Sequence, residues 1–238
     1  IVTYTGNGTD GATVGHGLNA TPGMVIVKRR DVAQNWVVAH SGITLSSQSL
    51  SLNLTTNATS FGDGWIDAWD SSTFRTNQGA ASIVNTNANT GTYVAYCWSE
   101  VPGFSKFGSY TSSSNTAQTI TTGFKPRFVI IKGTGSGGFE WVMYDSARGG
   151  SNHLRANSSA AENDPSGIGD LTFGNDSFSI PASGDNGNIR GGGTYIYMAF
   201  ADKPPGEIID SLIDTPTNYS ASSGNNGGNY ATLNPLSS

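Results

Sequence analysis
Apolar residues in this chain come in short runs or in strict alternation, punctuated by Gly, Asn, Asp and Pro, and almost never at the spacing of a helical face. Period-two alternation marks a half-buried strand, and a brief unbroken apolar run marks a fully buried one. Val25 to Lys28 and Asn35 to Ala39 read as neighbouring strands, with Arg29-Arg30-Asp31 turning between them. Leu50, Leu52 and Leu54 alternate with Ser51 and Asn53, which predicts a strand with one wet face. Tyr93 to Trp98 is apolar throughout. Further strands are expected at Phe128 to Lys132, Trp141 to Tyr144, Leu171 to Phe173, Phe178 to Ile180 and Tyr195 to Phe200.

This plan is written twice. Pro22 and Met24-Val25-Ile26-Val27-Lys28 return as Pro126 and Phe128-Val129-Ile130-Ile131-Lys132. Trp36-Val37-Val38 returns as Trp141-Val142-Met143, and Gly91-Thr92-Tyr93-Val94 as Gly193-Thr194-Tyr195-Ile196. Tyr4-Thr5 and Gly17-Leu18 return as Tyr110-Thr111 and Gly123-Phe124. The displacement drifts only between 102 and 106 residues, as when loops vary and strands do not. Many short strands with Gly-rich turns, repeated, predict an all-β protein of two tandem antiparallel β-sandwich, jelly-roll-like domains and an extended C-terminal tail. The expected boundaries are 1–104, 105–205 and 206–238, with a hinge over Glu100 to Phe107. In the tail, Ile208-Ile209 and Leu212-Ile213 suit a short helical turn or a docking strand and are the candidate assembly residues.

A net charge of −5 and only 12% charged residues offer no phosphate-neutralising surface, so no nucleic-acid partner is expected. No apolar run nears the ~18 residues of a membrane span, so no membrane insertion is expected either. The chain opens Ile1-Val2-Thr3 and reads as a mature or excerpted piece of something longer. Its one cysteine, Cys97, stands where the second copy has Ala199, a pairing that asks for a small buried group.

Enzyme motifs such as Gly-x-Ser-x-Gly, a phosphate loop or His-Glu-x-x-His do not occur. His16 matches Thr122 and His40 matches Asp145, so those positions ask only for polarity. Acidic residues gather at Asp63, Asp67 and Asp70, and again at Asp164 and Asp170, but without the alternating spacing of a calcium loop. No metal and no cofactor are expected. Seven Asn-x-Ser/Thr sequons fall in a chain already rich in these residues.

Three tryptophan positions stay aromatic in both copies: Trp36 with Trp141, Trp69 with Phe173, and Trp98 with Phe200. Large rings that recur this way fit core packing. Trp65, in Gly62-Asp63-Gly64-Trp65, has Gly169 as its counterpart. It is either an exposed binding ring, with Asp63 and Asp67 beside it, or a lid over its own domain.

Tyr4-Thr5-Gly6-Asn7-Gly8, Pro22 to Arg30, Asn35 to Val38 and Gly91 to Cys97 together resemble a recurrent module of tailed-phage structural proteins from marine and cyanobacterial phages. Gly103 to Tyr110, Tyr144 to Arg148, Thr194 to Ala201, Asp214 to Tyr219 and Gly228 to Leu236 resemble it too, so the likeness spans nearly the whole chain. The resemblance implies a non-catalytic virion protein, part of a tail fibre or appendage, that serves assembly, host-surface contact or both. Its implied partners are copies of itself or other virion proteins, joined through sheet edges and the tail, and host surface polysaccharide. Its implied location is the virion, outside the cell. Two alternatives stand beside it: a lectin-like glycan- or receptor-binding module at Trp65, Asp63 and Asp67, and a subunit of a self-assembling extracellular filament. A polysaccharide depolymerase would need paired carboxylates, for which Asp67 and Asp70 are candidates only by default.

Overall fold
A computed structural model of the chain describes residues 1–60, 65–76, 83–112, 116–135, 137–162, 170–182 and 188–202. All of them belong to one compact unit, Ile1–Pro205. A second unit, Gly206–Ser238, holds Ile208, Ile209, Leu212 and Ile213 and lies outside the described residues, as does Asp63.

The first repeat contains β1 (Val2–Thr5), β2 (Thr13–Gly15), β3 (Pro22–Arg29), β4 (Trp36–His40), β5 (Gln48–Ser51), β6 (Thr59–Ser60), β7 (Ile66–Trp69), β8 (Thr73–Thr76), the short α1 (Ile83–Thr86) and β9 (Thr92–Ser99). The second contains β10 (Ser105–Ser112), β11 (Gln118–Thr121), β12 (Pro126–Gly133), β13 (Trp141–Asp145), β14 (His153–Arg155), β15 (Thr172–Phe173), β16 (Ser177–Ile180) and β17 (Gly193–Ala201). Every pairing is antiparallel.

The duplication in sequence is a duplication in topology. One large sheet runs β1-β9-β3-β4-β5-β6, and the other runs β10-β17-β12-β13-β14, which is the same order strand for strand apart from β6. The small sheets, β2-β8-β7 and β11-β16-β15, also correspond. A bulge falls at Pro22/Met24 and again at Pro126/Phe128, where each proline has no amide hydrogen to give the ladder. Each repeat is therefore a sandwich of a large and a small sheet.

In the first sandwich Val25, Val27, Val37, Tyr93 and Ala95 face Ile66 and Phe74. In the second, Val129, Ile131, Val142, Tyr195 and Ala199 face Leu171, Phe178 and Ile180. A stacked tyrosine pair recurs at each sandwich edge: Tyr4 on Tyr93 at 5.0 Å, and Tyr110 on Tyr195 at 5.1 Å. Their hydroxyls donate to the carbonyls of Thr86 and Ile189, both at 2.6 Å.

The outer faces of the two large sheets meet in a third apolar cluster, which includes Met24, Ile26, Val38 and Leu50 from one repeat and Phe107, Ile130, Trp141 and Ile196 from the other. This second covering explains the unbroken apolar runs. An antiparallel strand with one wet face would alternate, whereas β3 and β17 are buried on both faces.

Two local expectations are corrected by the same packing. The strand expected over Leu50 to Leu54 stops at Ser51, because the Asn53 side chain takes over the partner's amide: its Oδ1 accepts from Trp36 N at 2.9 Å. Its expected wet face is covered in part, for Asn53 stays exposed. Ser49 and Ser51 are buried, and Ser49 Oγ accepts from Trp65 N at 2.8 Å. The hinge is also shorter than Glu100 to Phe107, since β10 already begins at Ser105 and Phe107 is buried in the shared cluster.

Candidate functional site
Trp65 is the lid of its own domain and not an exposed ring. It is 9% exposed and belongs to the core of the first sandwich, held by the Ser49 contact and by Thr86 Oγ1 donating to its carbonyl at 3.4 Å. Asp67, two residues further along in β7, is engaged by Arg75 on β8 through two hydrogen bonds of 2.8 and 2.7 Å. Asp70 caps the β7–β8 turn, accepting from the amides of Ser72 and Thr73 at 2.7 and 2.6 Å. Those bonds hold its carboxyl below the usual carboxylate range. Trp65 and Asp67 therefore form no open sugar platform, and among the described residues no three His, Cys, Asp or Glu side chains cluster closely enough to hold a metal.

His16 and Cys97 stand at fold positions that the repeat reproduces. His16 Nε2 bonds Asp70 O at 3.1 Å across the small-sheet turn, and Thr122 Oγ1 donates to Asp176 O at 2.9 Å at the equivalent place. The glycines that follow them, Gly17 and Gly123, both take positive φ (68° and 83°), which a side chain would resist. Cys97 is buried in the sandwich, and burial pushes its thiol up to about 11, which leaves almost no thiolate at neutral pH. An open cleft of about 300 Å³ lies between the edge strands β1 and β2, but Asn7 and Asn87 there bond mainly to each other.

The most elaborate polar arrangement joins the repeats. Trp141 Nε1 donates to Ser51 O at 2.9 Å, and Lys132 Nζ donates to Thr55 O at 2.9 Å. Ala58 N donates to Thr134 O at 3.0 Å, and His40 Nε2 meets Tyr197 O at 3.1 Å. A carbonyl only accepts, so His40 carries its proton on Nε2, while Nδ1 accepts from Gly42 N at 2.9 Å. Burial pushes this imidazole down to about 4. Glycines allow the closest approach: a Cβ on Gly23 would stand 2.5 Å from the Phe107 ring, and one on Gly42 would stand 2.9 Å from Ile196.

Lys132 also donates to Phe139 O and lies 5.8 Å over the Trp141 ring; burial lowers it to about 8. The first repeat builds the same clip, with Lys28 Nζ on Gln34 O and 5.9 Å over Trp36. The copies differ only in what covers them. Lys132 and Trp141 are buried against the first repeat, whereas Lys28 and Trp36 are half-exposed.

That difference runs through the whole face. The first repeat uses its β4–β5 half, where Met24, Val38, His40 and Leu50 are buried, while their equivalents Phe128, Met143, Asp145 and Leu154 are partly open. The second repeat uses its β17–β10 half, where Phe107, Ile196 and Met198 are buried, while Ile1, Val94 and Tyr96 are open or half-exposed. The half-exposed aromatics form a row at the margin of the shared cluster, Trp36 beside Tyr96 at 6.4 Å and Tyr96 beside Trp98 at 6.2 Å, with interplanar angles of 23° and 17°. Sequence reasoning missed this junction. Its signal was present in the unbroken apolar runs of β3 and β12 and in the two cross-strand Lys–Trp pairs.

No curated protein and no solved structure matches the chain. One family does, over residues 1–204, which is all but the tail. The chain belongs to that family, described as Domain of unknown function (DUF7483).

Proposed function
We propose that this protein is a non-catalytic structural module of a phage virion, a tandem sandwich that serves assembly and host-surface contact in a tail fibre or appendage. The observation that carries the structural part is the junction. Its polar and titratable side chains, His40, Lys132 and Trp141, bond the carbonyls of the other repeat and present no free group to a substrate. The motifs shared with tailed-phage structural proteins support the virion setting. Partners are then copies of the chain or other virion proteins, and the place is outside the cell. Mass spectrometry of particles purified from the virus encoding the chain should find it at stoichiometric levels, with antibody label on an appendage. Absence from washed particles would overturn the virion assignment.

A glycan-binding reading is favoured by one observation, the half-exposed row Trp36, Tyr96 and Trp98, since flat rings stack on sugar faces. It places the contact on the large sheet and away from Trp65.

A further inference from the structure
We propose that the junction within the chain also forms between chains: the β13–β14 half of one molecule's second repeat receives the β9–β1 half of a second copy's first repeat, so that copies add head to tail. The inference deepens the assembly reading above and rests on it, but it does not depend on the virion setting.

The reason lies in which positions touch. A two-fold contact uses the same patch on both partners, so that each contact recurs with the roles exchanged. Here Gly23, His40, Ser51 and Thr55 of the first repeat meet Phe107, Tyr197, Trp141 and Lys132 of the second. Carried back to the first repeat, those four partners are Ile1, Ala95, Trp36 and Lys28, none of which is in the first set. The contact is heterologous. Such a contact leaves one unused half at each end and propagates unless the rotation closes a ring.

Both half-exposed halves, whose Trp36, Tyr96, Phe128 and Met143 already touch the margin of the shared cluster, keep the character of the buried ones. Phe128, Met143 and Leu154 stand where Met24, Val38 and Leu50 are buried, and the cross-strand registers agree: Val38 faces Leu50 as Met143 faces Leu154. Trp36, Val94 and Tyr96 stand where Trp141, Ile196 and Met198 are buried, and Lys28 lies between Trp36 and Val94 as Lys132 lies between Trp141 and Ile196. The Lys28–Trp36 clip is already formed before any partner arrives. A cleft of about 160 Å³ lined by Lys125, Pro126, Arg127, Ser146 and Asp202 marks the place equivalent to that where Phe107 covers Gly23. The equivalence is fixed by Ser41 N on Gly23 O and Ser146 N on Arg127 O, both at 2.9 Å. Arg127 replaces the glycine, so the closest approach is lost and the contact between copies is weaker than the one within the chain.

Sedimentation velocity on the full chain tests this, from about 1 µM to about 1 mM. Val94→Arg disables one half and Leu154→Arg the other. Both residues are partly exposed and lie outside the three core clusters, so the fold should survive, which circular dichroism and a melting curve verify. Wild type is expected to grow in size with concentration, and each variant alone to bind itself roughly tenfold or more weakly. An equal mixture of the two should recover association and stop at pairs, because it holds one intact junction. Should either arginine unfold the chain, Val94→Thr and Leu154→Thr give the same mixing test. Wild type that stays monomeric throughout, or a mixture no better than either variant alone, overturns the proposal. So does a monomer that binds polysaccharide through the aromatic row. Self-association by a chain absent from virions would leave this inference standing and remove only the virion setting.

Discussion
Trp141→Ala is expected to destabilise the protein by about 3–5 kcal/mol, whereas Trp36→Ala, at the equivalent position, should lose only about 1–2 kcal/mol. The two rings occupy the same place in their repeats: each opens the fourth strand of its order, each lies under a lysine ammonium, and each has its backbone amide held by an asparagine side chain. They differ in what removal exposes. Trp141 is 1% exposed, donates its indole N–H to Ser51 of the other repeat, and fills the cluster between the large sheets. Deleting it opens a cavity, leaves the Ser51 carbonyl buried without that donor, and uncovers the buried Lys132. Trp36 has water on one side, so its loss removes less contact and strands no polar group across a junction. Urea unfolding of both variants against wild type measures the difference, and equal losses would mean that the repeats are not packed through unequal halves.

Acid should weaken the protein in a window that belongs to His40. Unfolded, the imidazole titrates near 6.5; folded, it is held down to about 4. Between these values the unfolded chain binds the extra proton, so stability rises with pH there and is lost as pH falls. The difference corresponds to about 3 kcal/mol, complete near pH 4. The cause is burial: the ring lies inside the junction beside Phe107 at 6.3 Å, and a second proton would have to sit there on Nδ1, facing the Gly42 amide that now donates to it. The carboxyls of Asp31 and Asp70 are also held low, but they give up their contribution only as pH falls below the ordinary carboxylate range near 3.8, outside the histidine window. Guanidinium unfolding from pH 7 to pH 4 should therefore show a slope that His40→Gln flattens. An unchanged slope in that variant would remove His40 from the account.

The internal repeat makes much of the fold legible in the sequence. It aligned the strands correctly, because hydrogen-bonded strands cannot gain residues without shifting every side chain to the other face, while loops can. It also read Cys97 with Ala199, and His16 with Thr122, as fold positions, and in the structure these pairs do sit at matching places. The covering of the outer faces was not legible. Period two shows that both faces of β3 are apolar, but it does not name what lies on the second face. Trp65 was open between two readings for a related reason: a Gly-Asp-Gly-Trp stretch suits an exposed loop or a lid alike, and only the packing of its ring into the first sandwich decides for the lid. Identical residues in the two copies need not share their surroundings: Trp36 and Trp141 differ because one repeat follows the other along a heterologous contact.

Hydroxyl-radical footprinting of the dilute, monomeric chain, read by mass spectrometry residue by residue, tests the unequal junction most directly. Trp36, Tyr96 and Met143 are expected to oxidise readily while Trp141, Met24 and Met198 are protected, although Trp36 with Trp141, and Tyr96 with Met198, occupy equivalent places in their repeats. Matching oxidation of Trp36 and Trp141 would contradict the unequal junction.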